Sequence, residues 1–169
     1  QSTQTAGLVA GGENPLNTNV EEYNGSAWSE QNDIPTGIAS GAGAGTQTSG
    51  IVFGGNIGAT VVNNSFEYDG TNWTAGGSLN TARQTMGGFG SQTACISAGG
   101  DDITGTPRYV AVCESYNGTA WTNTTSLPNT RQLGLGNAGT STAGLVFGGF
   151  DGTARITTTS EWNGSTWTN

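Results

Sequence analysis

The sequence predicts an all-β repeat fold of four-stranded antiparallel units, and three observations predict it. Tryptophans recur at Trp28, Trp73, Trp121 and Trp167, which are 45, 48 and 46 residues apart. A glycine pair closes a short apolar or small-residue run in each copy, at Gly11-Gly12, Gly54-Gly55, Gly99-Gly100 and Gly148-Gly149. An aromatic followed by Asn-Gly or Asp-Gly stands five residues before each of those tryptophans, as Tyr23, Tyr68, Tyr116 and Trp162. Repetition at a period of a few tens of residues marks a chain built of one supersecondary unit used again and again. A single repeat domain, 1–169, is expected, with units at roughly 1–33, 34–78, 79–126 and 127–169.

Each unit reads as four short strands. The second is the clearest, at 5–10, 48–53, 93–98 and 142–147. Bounded runs of that length fit buried strands, because helices need more residues and a wider apolar period. The glycine pair lets the backbone turn at positive φ where a side chain would clash. The third strand precedes each aromatic, at 19–23, 65–68, 110–116 and 157–162. Asn24-Gly25, Asp69-Gly70, Asn117-Gly118 and Asn163-Gly164 then read as two-residue hairpin turns, where both central residues take φ > 0. The fourth strand carries the tryptophan. The first strand of a unit follows a linker and is glycine-rich, at 38–45, 84–90 and 132–139. Helix is excluded there, since each glycine costs about 1 kcal/mol relative to alanine. Small residues suit an innermost strand that approaches other backbones closely. The count is 15 strands, with the first unit lacking its inner one.

Composition narrows the function classes. Only 33% of residues are hydrophobic and 9% charged, with 30 glycines, yet five tryptophans and periodic apolar runs exclude the disordered reading of such a chain. Net charge is −8, without histidine or lysine; Arg83, Arg108, Arg131 and Arg155 are the only cations. That leaves no basic footprint for nucleic acid and disfavours anionic membranes. No run is long enough for a transmembrane helix and no secretory leader opens the sequence. The start at Gln1 and the lone Met86 read as a processed product or an excerpt. Cys95 and Cys113 fall on the expected second and third strands of one unit, so two readings stand: a cross-strand disulfide, or two free buried thiols.

Four-stranded units with a diglycine, then an aromatic and a tryptophan, resemble the kelch repeat of β-propellers over nearly the whole chain. The four glycine pairs match the family's diglycine, and Tyr23, Tyr68, Tyr116 and Trp162 with Trp28, Trp73, Trp121 and Trp167 match its aromatic pair. Arg83 and Arg131 match an arginine that precedes the first strand, with Ile38 in its place in the second unit. In its glycine- and threonine-rich style the chain is most similar to kelch-like repeats of predicted structural and tail-fibre proteins of marine bacteriophages. The resemblance implies a four-bladed propeller segment whose first blade lacks its inner strand. It implies an incomplete ring or arc, with flanking repeats or other protein chains completing the sheet edge, because an unpaired edge invites a partner.

Chemistry finds few footholds. Without histidine there are no histidine triads and no histidine-containing zinc or copper sites, so the copper chemistry of galactose oxidase does not carry over. Without lysine there is no Schiff base. Adjacent acids occur only at Glu21-Glu22 and Asp101-Asp102, and neighbours on a strand point to opposite faces. Glu22, Glu67 and Glu161 recur one residue before the aromatic, with Ser115 in the third copy, which makes them scaffold features. Asp69-Gly70-Thr71-Asn72-Trp73 is similar to the sialidase Asp-box but one residue short, and the other copies carry Asn. One acidic pair falls far short of the six to eight oxygens that calcium takes, so neither a metal nor a cofactor is expected. N-glycosylation acceptors occur at Asn24, Asn63, Asn72, Asn117, Asn123 and Asn163. The expectation is a non-enzymatic structural or adhesion module on a virion fibre or another extracellular assembly. Specificity would be carried by the loops that differ between copies: 14–19 with Asn14 and Asn17, 56–63 with Asn56 and Asn63, and 101–108 with Asp101, Asp102 and Arg108. The alternatives are a secreted carbohydrate-binding propeller, with host-surface glycan as ligand, and a glycosidase-like one.

Overall fold

Short apolar runs separated by turn residues build strands and nothing else. The computed structural model describes residues 5–13, 15–132 and 136–169, and every regular element among them is a β-strand. Four small antiparallel sheets follow one another in chain order, each a meander of neighbouring strands and none closed into a barrel. The first holds β1 (Gly7–Gly12), β2 (Asn17–Tyr23) and β3 (Trp28–Gln31). The second begins with β4 (Ala42–Thr46) and β5 (Ser49–Phe53). A two-stranded ribbon, β6 (Asn56–Ile57) and β7 (Thr60–Val61), interrupts it before β8 (Ser65–Tyr68) and β9 (Trp73–Ala75). The third is β10 (Gly87–Ser91), β11 (Ala94–Ala98), β12 (Cys113–Tyr116) and β13 (Trp121–Thr124). The fourth is β14 (Gly136–Thr140), β15 (Ala143–Phe147), β16 (Thr159–Trp162) and β17 (Trp167–Thr168). Among the described residues the ribbon accounts for the two strands beyond the expected 15, and the first sheet has three strands, as expected.

The aromatic pairs sit directly opposite each other across the last hairpin of every sheet: Tyr23 with Trp28, Tyr68 with Trp73, Tyr116 with Trp121 and Trp162 with Trp167. Their ring centroids lie 5.1, 4.7, 5.0 and 5.1 Å apart. Opposite residues share a face, so each pair sets one face of its sheet apart as apolar, and in sheets two, three and four that face is buried. The loop between them is not the expected two-residue turn. Four residues intervene, the Asn or Asp is not at positive φ, and only the glycine is (Gly25 95°, Gly70 93°, Gly118 90°, Gly164 95°). The side-chain oxygen caps the loop instead: Asn24 Oδ1 accepts the amides of Ser26 and Ala27 at 2.9 and 3.0 Å, and Asp69, Asn117 and Asn163 repeat this. Asn and Asp recur here as local acceptors, not for left-handed backbone.

Because side chains alternate across a strand, each sheet has one face toward the sheet before it and one toward the sheet after. Three buried clusters fill the three gaps. Ile34, Ile38, Phe66, Tyr68 and Trp73 lie between sheets one and two. Ile51, Phe53, Leu79, Tyr116 and Trp121 lie between two and three, and Phe89, Ile96, Val146, Trp162 and Trp167 between three and four. The glycine-rich first strands adjoin one another, with β10 between β4 and β14. A Cβ on Gly88 of β10 would fall 2.9 Å from the Gly43 carbonyl oxygen and 2.8 Å from the Phe53 ring, which is the crowding the glycine content anticipates. The first two of these strands start later than expected, at Ala42 and Gly87, since the residues before them run as linker; the third is described from Gly136, and residues 133–135 lie outside the described ones.

The expected glycine-pair turn is present, with φ of 63° at Gly54 and 94° at Gly55. It also ties units together. The second glycine's amide donates to a carbonyl in the linker of the following unit: Gly12 to Ile38 at 3.0 Å, Gly55 to Arg83 at 2.8 Å and Gly100 to Arg131 at 2.8 Å.

The disulfide reading is overturned. Cys95 pairs with Tyr116, three residues from Cys113, so the two thiols leave opposite faces of the third sheet and enter different cores. Both are free and buried. Burial pushes both thiols up, Cys113 to about 11. We therefore expect neither cysteine to react with Ellman's reagent in the native protein, and both to react without reductant once the chain is unfolded. A thiol-free unfolded chain would contradict this arrangement.

Candidate functional site

In a meander the loop after the second strand and the linker before the first share one end of the sheet, so all the copy-specific loops gather there. In the second, third and fourth units the residue after the glycine pair is the anchor of that end. Asn56 bridges to Ala39, Asp101 to Gln84 and Phe150 to Gln132. Asn56 is buried and donates Nδ2 to the Gly58 carbonyl at 2.7 Å, while its Oδ1 is buried without a partner. Asn63 donates to the Leu79 carbonyl at 3.0 Å. Asn17 opens β2, and Asn14 lies outside the described residues.

Asp101 and Arg108 form a bidentate pair, Nε to Oδ1 at 2.8 Å and Nη2 to Oδ2 at 2.7 Å. The carboxylate is buried and the guanidinium half exposed, stacked over the Tyr109 ring at 5.5 Å. Tyr109 meets Phe150 of the fourth unit edge-on at 5.6 Å. Asp102 turns its Oδ1 to the amide and hydroxyl of Thr104, at 3.2 and 2.8 Å. The two acids thus point to different partners, and no cluster of three metal-ligating side chains occurs among the described residues. Of the expected binding residues that are described, only Asp101, Asp102 and Arg108 come together.

A stronger polar constellation lies below the loops, where the sequence suggests only repeat arginines. Arg83 is wholly buried in the third unit and donates to Glu114 at 2.8 Å, to Ser97 at 2.5 Å and to the carbonyls of Gly99 and Val112 at 2.6 and 2.9 Å. Glu114 is equally buried and takes further bonds from the Asn80 amide and side chain at 2.7 and 3.0 Å. Burial lowers the Arg83 pKa while Glu114 opposes the shift. The fourth unit repeats the cation without the acid: among the described residues Arg131 donates to Thr158 and Ser160, its Nε finds no partner there, and burial lowers its pKa. The second unit replaces both by apolar residues, Ile38 and Phe66 in one core.

Two of the three recurrent acids are consumed between sheets. Glu22 accepts the Tyr68 hydroxyl at 2.9 Å and Glu67 accepts that of Tyr116 at 2.5 Å. Both tyrosines are pushed up to about 12, first by burial and then by these carboxylates. The tryptophans pack likewise. The indole of Trp73 donates to the Asn32 carbonyl, Trp121 to the Ser65 hydroxyl and Trp167 to the Thr125 carbonyl, each at 3.0 Å and each in the preceding unit. Trp28 has no preceding sheet in this chain and is 51% exposed.

Two concavities remain. A groove of about 240 Å³ opens between β1 and β4, lined by Leu8, Ala10, Ala44, Ile51 and Val52, with a hollow of about 260 Å³ continuing past Ile34 and Ile38. It runs beside the first sheet, which has three strands among the described residues. At the opposite end from the loops, the first hairpins of sheets two, three and four surround a hollow of about 320 Å³. Its rim is glycine and hydroxyl: Thr46, Ser49, Ser91, Thr140 and Ser141.

No family model matches the chain, and no curated protein matches it. Among solved structures it is similar to that of YjhT, with a TM-score of 0.71 at 16% identity over 85% of this chain. The chain spans 48% of that structure's chain, and likeness at this identity concerns the fold.

Removing Glu114 strands a buried guanidinium, so Glu114→Ala should destabilise the fold by about 3–5 kcal/mol in urea titrations, as breaking buried ion pairs does. Ser160→Ala should cost far less, since Arg131 has no carboxylate there to lose. Asp69 carries a pKa lowered by the amides of Asn72 and Thr71. Its bonds therefore stabilise the fold above the unfolded value of about 3.9 and are lost as pH falls through the lower folded value. In Asp69→Asn the neutral acceptor caps the loop at every pH, so acidification should weaken wild type relative to the variant.

Proposed function

We propose that this chain is a kelch-like β-propeller segment, each sheet one blade, that acts as a non-enzymatic structural or adhesion module on a virion fibre or another extracellular assembly. The observation that carries the reading is where the polar side chains are spent. The recurrent acids Glu22 and Glu67 hold the next sheet's tyrosine, Glu114 holds Arg83, and Asp101 holds Arg108. These groups build a stack of sheets that displays loops at one end, and paired acids for glycoside hydrolysis would have to stand free and face each other. Adjoining first strands and sheets joined in series support the propeller reading. Loop contacts by Asn17, Asn63, Asp102 and Arg108 would supply recognition, and other chains or flanking repeats would complete the open edge. An acidic chain without lysine suits neither nucleic acid nor an anionic membrane as partner.

A second reading, a carbohydrate-binding propeller, draws on one feature: the hollow ringed by hydroxyls from three hairpins. Serine, threonine and glycine residues of three hairpins line it together with Ala94, and a small ligand such as a sugar would rest on them. A glycan array and a fluorogenic glycoside panel separate the readings. The display role predicts no turnover and no sugar binding that depends on the hollow. Competable binding lost in Ser91→Phe would favour the lectin, and turnover would overturn both.

A further inference from the structure

The two outermost faces of the stack carry the two halves of an interface that the chain already builds within itself. Between sheets two and three, Phe53 meets Trp121 with centroids 4.7 Å apart, and Glu67 accepts the Tyr116 hydroxyl. Phe53 is 0% and Trp121 4% exposed. On the last sheet Phe147 takes the place of Phe53, directly before the glycine pair, and Glu161 that of Glu67, opposite Leu145 as Glu67 is opposite Ile51. On the first sheet Trp28 and Tyr23 take the places of Trp121 and Tyr116. Among the described residues no other sheet covers these four: Phe147 is 44% and Trp28 51% exposed, and no hydrogen bond from the Tyr23 hydroxyl or to the Glu161 carboxylate is seen there.

The substitutions within the stack follow the same pairing. Where the third sheet offers Ser115 in place of the acid, the following sheet presents Trp162 in place of the phenol, and its indole bonds within its own sheet to the Ser141 carbonyl at 2.8 Å. Carboxylate and phenol thus occur together or not at all across the internal interfaces. Glu161 is a carboxylate whose phenol is missing, and Tyr23 a phenol whose carboxylate is missing.

We propose that the last sheet of one copy docks on the first sheet of a second copy, head to tail, with Tyr23 donating its hydroxyl to Glu161 and Trp28 covering Phe147 and Leu145. Such a contact is heterologous, so it closes a ring where the rotation between sheets permits and otherwise extends as an open series. The inference rests on the stacked-sheet reading above and is independent of any virion or adhesive role.

Sedimentation and light scattering of the 169-residue chain across a concentration series test it. Wild type should self-associate. Tyr23→Phe and Glu161→Gln should each weaken association by about tenfold to a hundredfold, the double variant no further, because both remove one charge-assisted bond. Trp28→Arg and Phe147→Arg, both at exposed positions, should each be folded by circular dichroism and monomeric. Mixed, these two should form a discrete dimer, since each retains the face the other lacks. A wild type monomeric at every concentration would overturn the proposal, the faces then being covered by further repeats or another protein, and would leave the display reading standing. A mixture that stays monomeric while wild type associates would also overturn it, because that result means like faces meet.

Discussion

Contact between successive sheets is the interaction on which everything else depends. A three- or four-stranded meander of five-residue strands cannot bury its own apolar residues, because both faces stay wet. Stacked in series, each sheet lays its aromatic pair on the preceding sheet's aliphatic face, and one gap shelters residues from both. Polar groups that recur in the gaps are matched there: tyrosine hydroxyl to carboxylate, indole to carbonyl or hydroxyl, glycine amide to a linker carbonyl. Burial without those partners would cost more than the ring packing returns. The units therefore stand or fall together, as in other repeat proteins whose stability lies largely in nearest-neighbour interfaces.

The position ahead of the inner strand shows how one place in the scaffold tolerates three chemistries. Arg83 with Glu114, Ile38 with Phe66, and Arg131 with Ser160 occupy corresponding sites in successive units. The apolar pair makes a plain core, and the ion pair makes a hydrogen-bonded core that also fastens the linker through Asn80. Among the described residues Arg131 has hydroxyls and a carbonyl but no carboxylate to meet a buried charge, so the fourth unit carries its cation at greater electrostatic cost. Buried ion pairs contribute little net stability but bind specific backbone groups. That suits a place where the chain passes from one sheet to the next.

Much of the fold was legible in the sequence, since its signals are local. The glycine pairs, the aromatic five residues before each tryptophan and the glycine-rich first strands identify the unit, its strand order and the three strands described in the first sheet. Loops 56–63 and 101–108 were legible as the variable elements. The content of those loops was not. The ribbon β6–β7 in one, and the closing of Asp101 onto Arg108 in the other, depend on how a few polar residues find each other once the ends are fixed. Asn-Gly suggested the two-residue turn, while the loop uses the same residues as caps over four, because the Tyr–Trp register leaves that many between the strands. Cysteines on neighbouring strands suggested a bridge, and three residues of register set them on opposite faces.

By itself the sequence determined that this is a β-protein of four recurring units, that histidine and lysine chemistry is absent, and which aromatic residues are scaffold. Periodicity and composition suffice for that, because strand, turn and glycine preferences act over a few residues. Only the tertiary structure decided which sheet each face meets. Glu22 finds Tyr68 across 46 residues and Arg83 finds Glu114 across 31, separations at which sequence records no contact. It also set Trp28 apart from its three counterparts, for burial belongs to a neighbour's presence, and the same residue in the same unit is core or surface according to whether another sheet lies against it.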